Sequence, residues 1–334
     1  MPPAAICSTM AELLRVDDLV VRYRAMGPVA ALLAGIRDPF VDAVLEVSFA
    51  LAPGQTLGIV GESGSGKSTL GRAIMGLVRP AAGTITFDGM SPSGRSDAAL
   101  RPYRRHIALM FQDPLASLSP RLTVQSLITE PFRIHGLAAR DLNAEARRLL
   151  AMVGLDHSFA ARYPHQLSGG QARRVGVARA LALSPKLVIA DEPTAGLDVS
   201  VQGEILNLMT RLQRAHGLTY VVITHNLPVV RHISDRLAIM YMGRFVEQGA
   251  TGTIFARPAH PYTEALLTAT PVPDPDRRRP PPALRGEVPS LLNRPSGCEF
   301  HTRCPYAKER CRIERPLPQL RPPGQTVRCH FPLA

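Results

Sequence analysis

The sequence predicts an α/β core with an inserted helical piece, followed by a small irregular tail. Three observations point there. Short apolar runs at TLGIV (residues 56–60), KLVIA (186–190) and YVVIT (220–224) have the length and continuous apolarity of strands buried on both faces of a parallel sheet. Helical periodicity occupies the stretches between them, so strand and helix alternate. Proline then gathers at the end: 16 of the 31 prolines lie in residues 256–334, with four of the five cysteines.

Taken in order, residues 1–9 are expected to be disordered, and Met10 competes with Met1 as the start. MPPAAICSTM lacks the basic and apolar regions of a secretory signal. LLRVDDLVVRY (13–23) alternates loosely and predicts a strand. SLITEPFRIHG and LNAEARRLLAMVGL carry apolar residues three and four apart, which places two successive helices within residues 123–154. Residues 10–255 form the main domain, with the helical subdomain at about 114–170. Residues 256–295 are a proline-rich linker, because PVPDPDRRRPPPALRGEVPSLLNRP (271–295) fits neither a continuous helix nor a central strand. Residues 296–334 form the cysteine-bearing tail.

Composition bounds the function. The chain has 334 residues, 45% of them apolar, and its mean hydropathy of +0.02 is that of a globular protein. No run reaches the roughly 18 apolar residues of a spanning helix. Lys and Arg number 39 against 27 Asp and Glu, a net charge of +12. That excess suits a nucleotide, a nucleic acid or the inner face of a membrane, and equally a merely solvated basic surface. The arginines 277–279 are read as solvated.

Residues 61–68, GESGSGKS, follow the strand TLGIV directly and match G-x-x-x-x-G-K-[ST]. Gly61, Gly64 and Gly66 permit the backbone angles that turn successive N–H groups toward a phosphate, and a Cβ would obstruct it. A helix opening at Lys67 aims the positive end of its dipole at the anion. Lys67 is expected on the β/γ-phosphates and the Ser68 hydroxyl on Mg²⁺. Glu62, Ser63, Ser65 and Thr69 complete the loop. KLVIADEP ends a strand at Asp191, a carboxylate for the metal, and places Glu192 next to it as the base for an attacking water. LSGGQ (Leu167 to Gln171) opens a second helix, so Ser168, Gly169 and Gly170 make a second anion-binding cap. One nucleotide does not need two such caps, so the second is assigned to a partner's nucleotide and the working unit to a dimer. His225, after YVVIT, is assigned to the γ-phosphate.

With GESGSGKS, LSGGQ, VIADE and ITH in that order and spacing, the chain resembles the ATP-binding subunits of ABC transporters over residues 10–250. The resemblance implies a P-loop NTPase ABC ATPase core using ATP and Mg²⁺. It implies that Gln112 senses Mg²⁺ or the attacking water, that Gln171 and Asp198 face the partner subunit, and that Tyr23 stacks on adenine, with Phe40 competing. Gly196 in AGLD and Gly176 in QARRVGVARAL depart slightly from the pattern without removing a catalytic group. QDPLASLSPRLTV, HPYTEALL, GEVPSLLNRPSGCEFHTRCPYAKERC and the ending VRCH are similar to the dipeptide/oligopeptide importer family, which also serves nickel, metal chelates and glutathione. The implied partners are a second, different ATPase subunit, two membrane-spanning permeases and an extracytoplasmic solute-binding protein, with the chain peripheral on the cytoplasmic face of the membrane. A soluble ABC ATPase acting on DNA or the ribosome is the rival from another class. Such proteins usually carry two cassettes or long coiled-coil insertions, and neither is present, so no nucleic acid is expected.

Cys298, Cys304, Cys311 and Cys329 are spaced C-x5-C-x6-C-x17-C. Four thiolates in a tail poor in apolar residues suit a structural metal or an iron–sulfur centre, or simply stay reduced. The tight knuckle of a zinc site is missing. The family resemblance implies a 4Fe–4S cluster on this set as a structural staple, with zinc as the alternative and His301 and His330 as its further ligands.

Overall fold

The computed structural model describes residues 12–27, 33, 39–111, 117–137, 141–270 and 286–333. The expected disordered N-terminus, Arg277–Arg279 and Gln112 lie outside them. The antiparallel sheet comprises β1 (Leu14–Arg24), β2 (Phe40–Leu51) and β4 (Ala82–Phe87), in the order β2-β1-β4. Between the last two comes β3 (Thr56–Val60), the first strand of the main sheet. Every residue of β3 is buried, which is why its sequence is continuously apolar rather than alternating.

The main sheet continues with β5 (Ile107–Met110), β6 (Leu187–Asp191), β7 (Thr219–Thr224), β8 (Arg236–Tyr241) and β9 (Arg244–Ala250). Two short strands, β10 (Gln319–Arg321) and β11 (Gln325–Val327), complete it in the order β10-β11-β9-β8-β3-β7-β6-β5. The five strands from β8 to β5 in that order are mutually parallel. Their C-terminal ends therefore share one edge, where an open α/β sheet binds its ligands.

Helices cover the sheet: α1 (Lys67–Ile74), α2 (Arg101–Arg105), α3 (Val124–Ile134), α4 (Leu142–Met152), α5 (Gly169–Leu181) and α6 (Val199–His216). The pair expected within 123–154 is α3 and α4. Thr123 caps α3 by accepting from Ser126 N–H at 3.3 Å, and Asp141 caps α4 by accepting from the amides of Asn143 and Ala144 at 2.9 and 3.2 Å. Leu127, Ile128 and Phe132 of α3 and Leu149 and Leu150 of α4 are buried in one cluster with Val175 and Ala178 of α5 and with Val188 and Val222 of the sheet. Each such Leu, Ile, Val or Phe side chain contributes on the order of 2 kcal/mol by leaving water. The helical insert thus shares its core with the sheet. Beyond α6 come α7 (Leu227–Ile233), α8 (Thr251–Ala256), α9 (Pro261–Ala269) and α10 (Glu309–Ile313). None of the described helices is long and apolar enough to cross a membrane.

The tail is less detached than its composition suggests. Thr326 and Val327 of β11 pair with Gln248 and Glu247 of β9, so the tail supplies the outer strands of the central sheet. An open strand edge offers unpaired amides and carbonyls, and this chain covers β9 with its own C-terminus. Glu247 is buried at the junction, accepting from the amides of Ala259 (2.8 Å) and His260 (2.9 Å) and from the Gln325 side chain. Arg244, 2% exposed, donates to Glu46 and, at 3.0 Å, to Glu299 of the tail. His260 is fully buried, and burial lowers its pKa to about 3. Kept neutral, it accepts from Tyr262 N–H at Nδ1 (3.0 Å) and caps α9, with Pro261 in the first turn.

Gly176 lies inside α5, and a Cβ placed there meets nothing within 4 Å beyond its own helix. Gly176→Ala is therefore expected to raise stability by about 0.8 kcal/mol, read from the midpoint of urea unfolding.

Candidate functional site

The phosphate loop leaves β3 and enters α1 through Gly66, which stands in the left-handed region at φ 102°. The glycines answer to neighbours as well as to ligand. A Cβ on Gly61 would lie 2.1 Å from the Met240 carbonyl oxygen of β8, and one on Gly66 would lie 2.1 Å from that of Ala43 in β2. Lys67 is buried, and its Nζ donates to the carbonyls of Gly61 and Glu62, both at 2.8 Å, and to Ser65 Oγ at 3.3 Å. Burial lowers its pKa, opposed by the negative charges of Glu192, Asp191 and Glu62. The ammonium is thus held over the loop, aimed at the cavity.

That cavity is lined by Gly61–Gly64, Gly66–Thr69, Asp191, Glu192 and His225. The structure brings together residues from three separate motifs, and adds Ala43, which no motif signals, and Leu266 of HPYTEALL, to which the sequence assigns no role at the site. Asp191 closes β6 on the side of Ser68, and burial raises its pKa, opposed by the neighbouring Ser68 hydroxyl and the charges of Arg72 and Lys67. Half-buried oxygen donors of this kind fit a hard divalent cation such as Mg²⁺.

Glu192 adopts a left-handed backbone, φ 50°, unusual outside glycine and strained by on the order of 1 kcal/mol. Its amide donates to the Ile223 carbonyl of β7 at 2.7 Å. This turn swings the carboxylate toward β7, where Thr224 Oγ1 donates to it at 2.8 Å and the His225 amide at 3.1 Å. His225 Nδ1 lies 2.6 Å from Glu192 Oε1, while the rest of its ring is largely exposed. The carboxylate is buried and oriented, and the imidazole stands on the open side. A strained acidic residue locked to a histidine beside a phosphate loop is equipped to polarise a water.

The other expected residues lie elsewhere. Tyr23 and Phe40 are partly exposed near the end of the antiparallel sheet, with Tyr23 opposite Val41 and Phe40 opposite Arg24, and neither lines the cavity. Ser168 and Gln171 form a reciprocal capping box at α5: Ser168 Oγ accepts from Gln171 N–H at 3.3 Å and Gln171 Oε1 from Ser168 N–H at 3.0 Å. Gly169 and Gly170 follow in the first turn, with Gly169 exposed. Asp198 caps α6, accepting from Val201 N–H at 2.9 Å. None of these five residues lines the cavity of Lys67.

The four cysteines converge. Cys298, Cys304, Cys311 and Cys329 line one small void with His260, His301 and His330. Burial pushes the Cys298 thiol up to about 12 and the Cys304 thiol to about 11. His301 Nδ1 lies 2.9 Å from the Cys298 carbonyl oxygen and His330 Nε2 2.8 Å from that of Glu314, so each ring already has a backbone partner. Among the described residues no group of three or more His, Cys, Asp or Glu side chains is arranged to hold a metal ion. The structure therefore gathers the thiols without forming the expected ligand set.

A phosphate loop between a parallel strand and a helix, with Asp and Glu closing the neighbouring strand, defines a P-loop nucleoside triphosphatase. Residues 44–195 match the ABC transporter family and residues 246–311 the oligopeptide/dipeptide transporter C-terminal region. The oligopeptide transport ATP-binding protein AppF of Bacillus subtilis is 50% identical over 87% of this chain and 90% of its own. The oligopeptide transport ATP-binding protein OppF of Salmonella typhimurium is 47% identical over 83% and 84%. The dimeric post-hydrolysis structure of the ATP-binding cassette MJ0796, bound to ADP and Pi, superposes with a TM-score of 0.63 at 30% identity, over 71% of this chain and 98% of that one. The chain belongs to the ATP-binding subunits of ABC transporters, in the branch that carries the oligopeptide/dipeptide C-terminal region, and is an ATPase.

Gly61→Ala is expected to abolish saturable nucleotide binding, measured with a fluorescent ATP analogue, because relief of the Met240 contact displaces the loop from β8.

Proposed function

We propose that this chain is the motor subunit of an importer of di- and oligopeptides, acting from the cytoplasmic face of the membrane. The observation that carries the reading is the C-terminal region at 246–311, which matches that of oligopeptide/dipeptide transporters and packs directly behind the phosphate loop. The names of AppF and OppF support the same solute class. The charge of +12 is then the face of a nucleotide- and membrane-associated protein, and the DNA- or ribosome-bound alternative has no support among these relatives.

In this reading ATP is cradled by Gly61, Glu62, Ser63, Gly64, Ser65, Gly66, Lys67, Ser68 and Thr69, with Tyr23 as the adenine contact. Ser68, Asp191 and Gln112 would hold Mg²⁺, which when bound neutralises charge on the β- and γ-phosphates. Glu192 takes the proton of the attacking water, and His225, tied to it at 2.6 Å, is placed to meet the γ-phosphate. Ser168, Gly169, Gly170, Gln171 and Asp198 serve the nucleotide of a second, related subunit. Their position on capped helix ends outside the Lys67 cavity supports sharing between two chains, as does the dimeric state of the matched cassette. Two permeases and a solute-binding protein complete the assembly.

Glu192→Gln is expected to leave ATP binding intact while ATP hydrolysis by the assembled transporter falls by at least about a hundredfold. Uptake of labelled di- and oligopeptides by cells carrying the variant is lost with it. Retained peptide uptake alongside lost nickel uptake would move the solute to a metal or metal chelate.

The 4Fe–4S cluster, with zinc as alternative, is likewise proposed for Cys298, Cys304, Cys311 and Cys329, as a staple of the tail. The shared void and the chemistry of four thiols support it. Anaerobically purified protein is expected to contain iron and to absorb in the visible. Zinc at one per chain would select the alternative, and protein free of both metals would sink the idea.

A further inference from the structure

Glu62 puts a carboxylate on a loop whose task is to hold a polyanion. At a few ångströms, an unscreened carboxylate and a phosphate oxygen repel by several kcal/mol in a partly buried site. The charge lies close to the working groups, since Glu62 lines the cavity and its field acts on Lys67. Its side chain is nonetheless held in one place. Arg303 of the tail donates to it in a two-pronged pair, Nη1 to Oε2 at 2.7 Å and Nη2 to Oε1 at 3.0 Å. The two residues are 241 positions apart in sequence.

The rest of Glu62 is equally tied. Its amide donates to Tyr262 Oη of α9 at 3.0 Å, and its carbonyl accepts from Lys67 Nζ at 2.8 Å and from Ser65 N–H at 3.2 Å. Arg303 is 5% exposed and its guanidinium carbon lies 5.9 Å from the centre of the Tyr241 ring. Tyr241 packs with Tyr262 and Phe300, whose ring centres lie 4.8 and 5.3 Å away. Arg303 has little room to swing, because its turn is closed by bonds from Arg303 N–H and Cys304 N–H to the Phe300 carbonyl, both at 3.0 Å. A buried guanidinium on an ordered turn is a rigid fork, well suited to fixing a carboxylate in both direction and charge.

We propose that Arg303 is a positioning residue for ATP binding: it draws the Glu62 carboxylate to the tail side of the phosphate loop and cancels its charge, so that nucleotide affinity depends on the docked tail. This deepens the assignment of residues 61–69 as the phosphate site and rests on it. Arg303 acts through Glu62 and need not touch the nucleotide. The same turn carries Cys298 and Cys304, which places the thiol void one residue from the device.

The test is equilibrium binding of MgATP to the full chain, comparing wild type with Arg303→Met, Glu62→Gln, the double variant and Lys67→Ala. Arg303→Met is expected to weaken binding about tenfold by exposing the Glu62 charge to the phosphates. Glu62→Gln, which keeps the loop's backbone but leaves the Arg303 charge uncompensated beside the phosphates, is expected to bind MgATP more tightly than wild type, and the double variant to recover to within about threefold of wild type. A purely structural clasp predicts the opposite for these two, since breaking either side would loosen the loop equally. Binding by Glu62→Gln no tighter than wild type, failure of the double variant to recover, or unchanged binding by Arg303→Met would each overturn the proposal. Glu62→Gln keeps it open to refutation even if Arg303→Met does not fold. Lys67→Ala separates the two levels: tight MgATP binding by that variant would discard the phosphate-loop assignment, whereas its loss leaves that assignment standing and the other variants decide on Arg303.

Discussion

The parallel register of β3, β7 and β6 is the constraint on which the site depends. Val60 pairs with Thr224 and Asp191 with Ile223, so three strands finish at the same level. That alignment sets the phosphate loop beside the Asp191–Glu192 turn and His225, although more than a hundred residues of chain separate the loop from either. Parallel strands require crossovers, and the helices that make them bury both faces of the sheet. The strands are consequently rigid, and the reactive groups sit just past their ends, where the backbone is free to take unusual shapes. Glu192 does so, with its strain offset by hydrogen bonds from Thr224 and His225.

A second dependence runs from the tail to the core. The HPY segment is structural at every residue: buried His260 caps α9, Pro261 fits the first turn and Tyr262 reaches the Glu62 amide. Arg244, Glu299, Glu46 and Arg294 form a partly buried charge network across the same junction, in which Arg294 also donates to the carbonyls of Met242 and Asp42. Buried ion pairs of this kind add little net stability over apolar packing, yet removing one partner is costly, so they favour one docked arrangement over others. The tail is therefore bonded to the sheet and to the phosphate loop through fixed directions, a different condition from a mobile appendage joined by a linker.

The parts of the site that were legible in the sequence are those whose chemistry is local. Loop glycines, the lysine at a helix start, an acidic pair ending a strand and a histidine after another all follow from what a phosphate and a water demand of neighbouring residues. Helices α3 and α4 were legible for a similar reason, since their apolar spacing and polar caps are properties of short segments. Ala43, Leu266 and Thr224 were harder to see. The first two reach the cavity from distant elements, and Thr224 gains its role only when β7 lies against the Glu192 turn. Tyr23, proposed to stack on adenine, stands near the end of β1, outside the lining of the phosphate cavity.

The chain's order of residues by itself determined the class of fold, the phosphate-loop motif and the family, and singled out Asp191, Glu192 and His225 as candidates, because each rests on spacing within a few residues or on motifs in series. Tertiary structure alone decided that Glu192 is turned into a left-handed conformation against His225, and that the cysteine tail closes the central sheet instead of hanging from it. It also decided that His260 joins the four thiols around one void and that Arg303 grips Glu62. The physical reason is common to all four. Charge pairing, strand-edge pairing and burial are set by distances in space, and residues dozens to hundreds of positions apart carry no local signal of the neighbour they will meet.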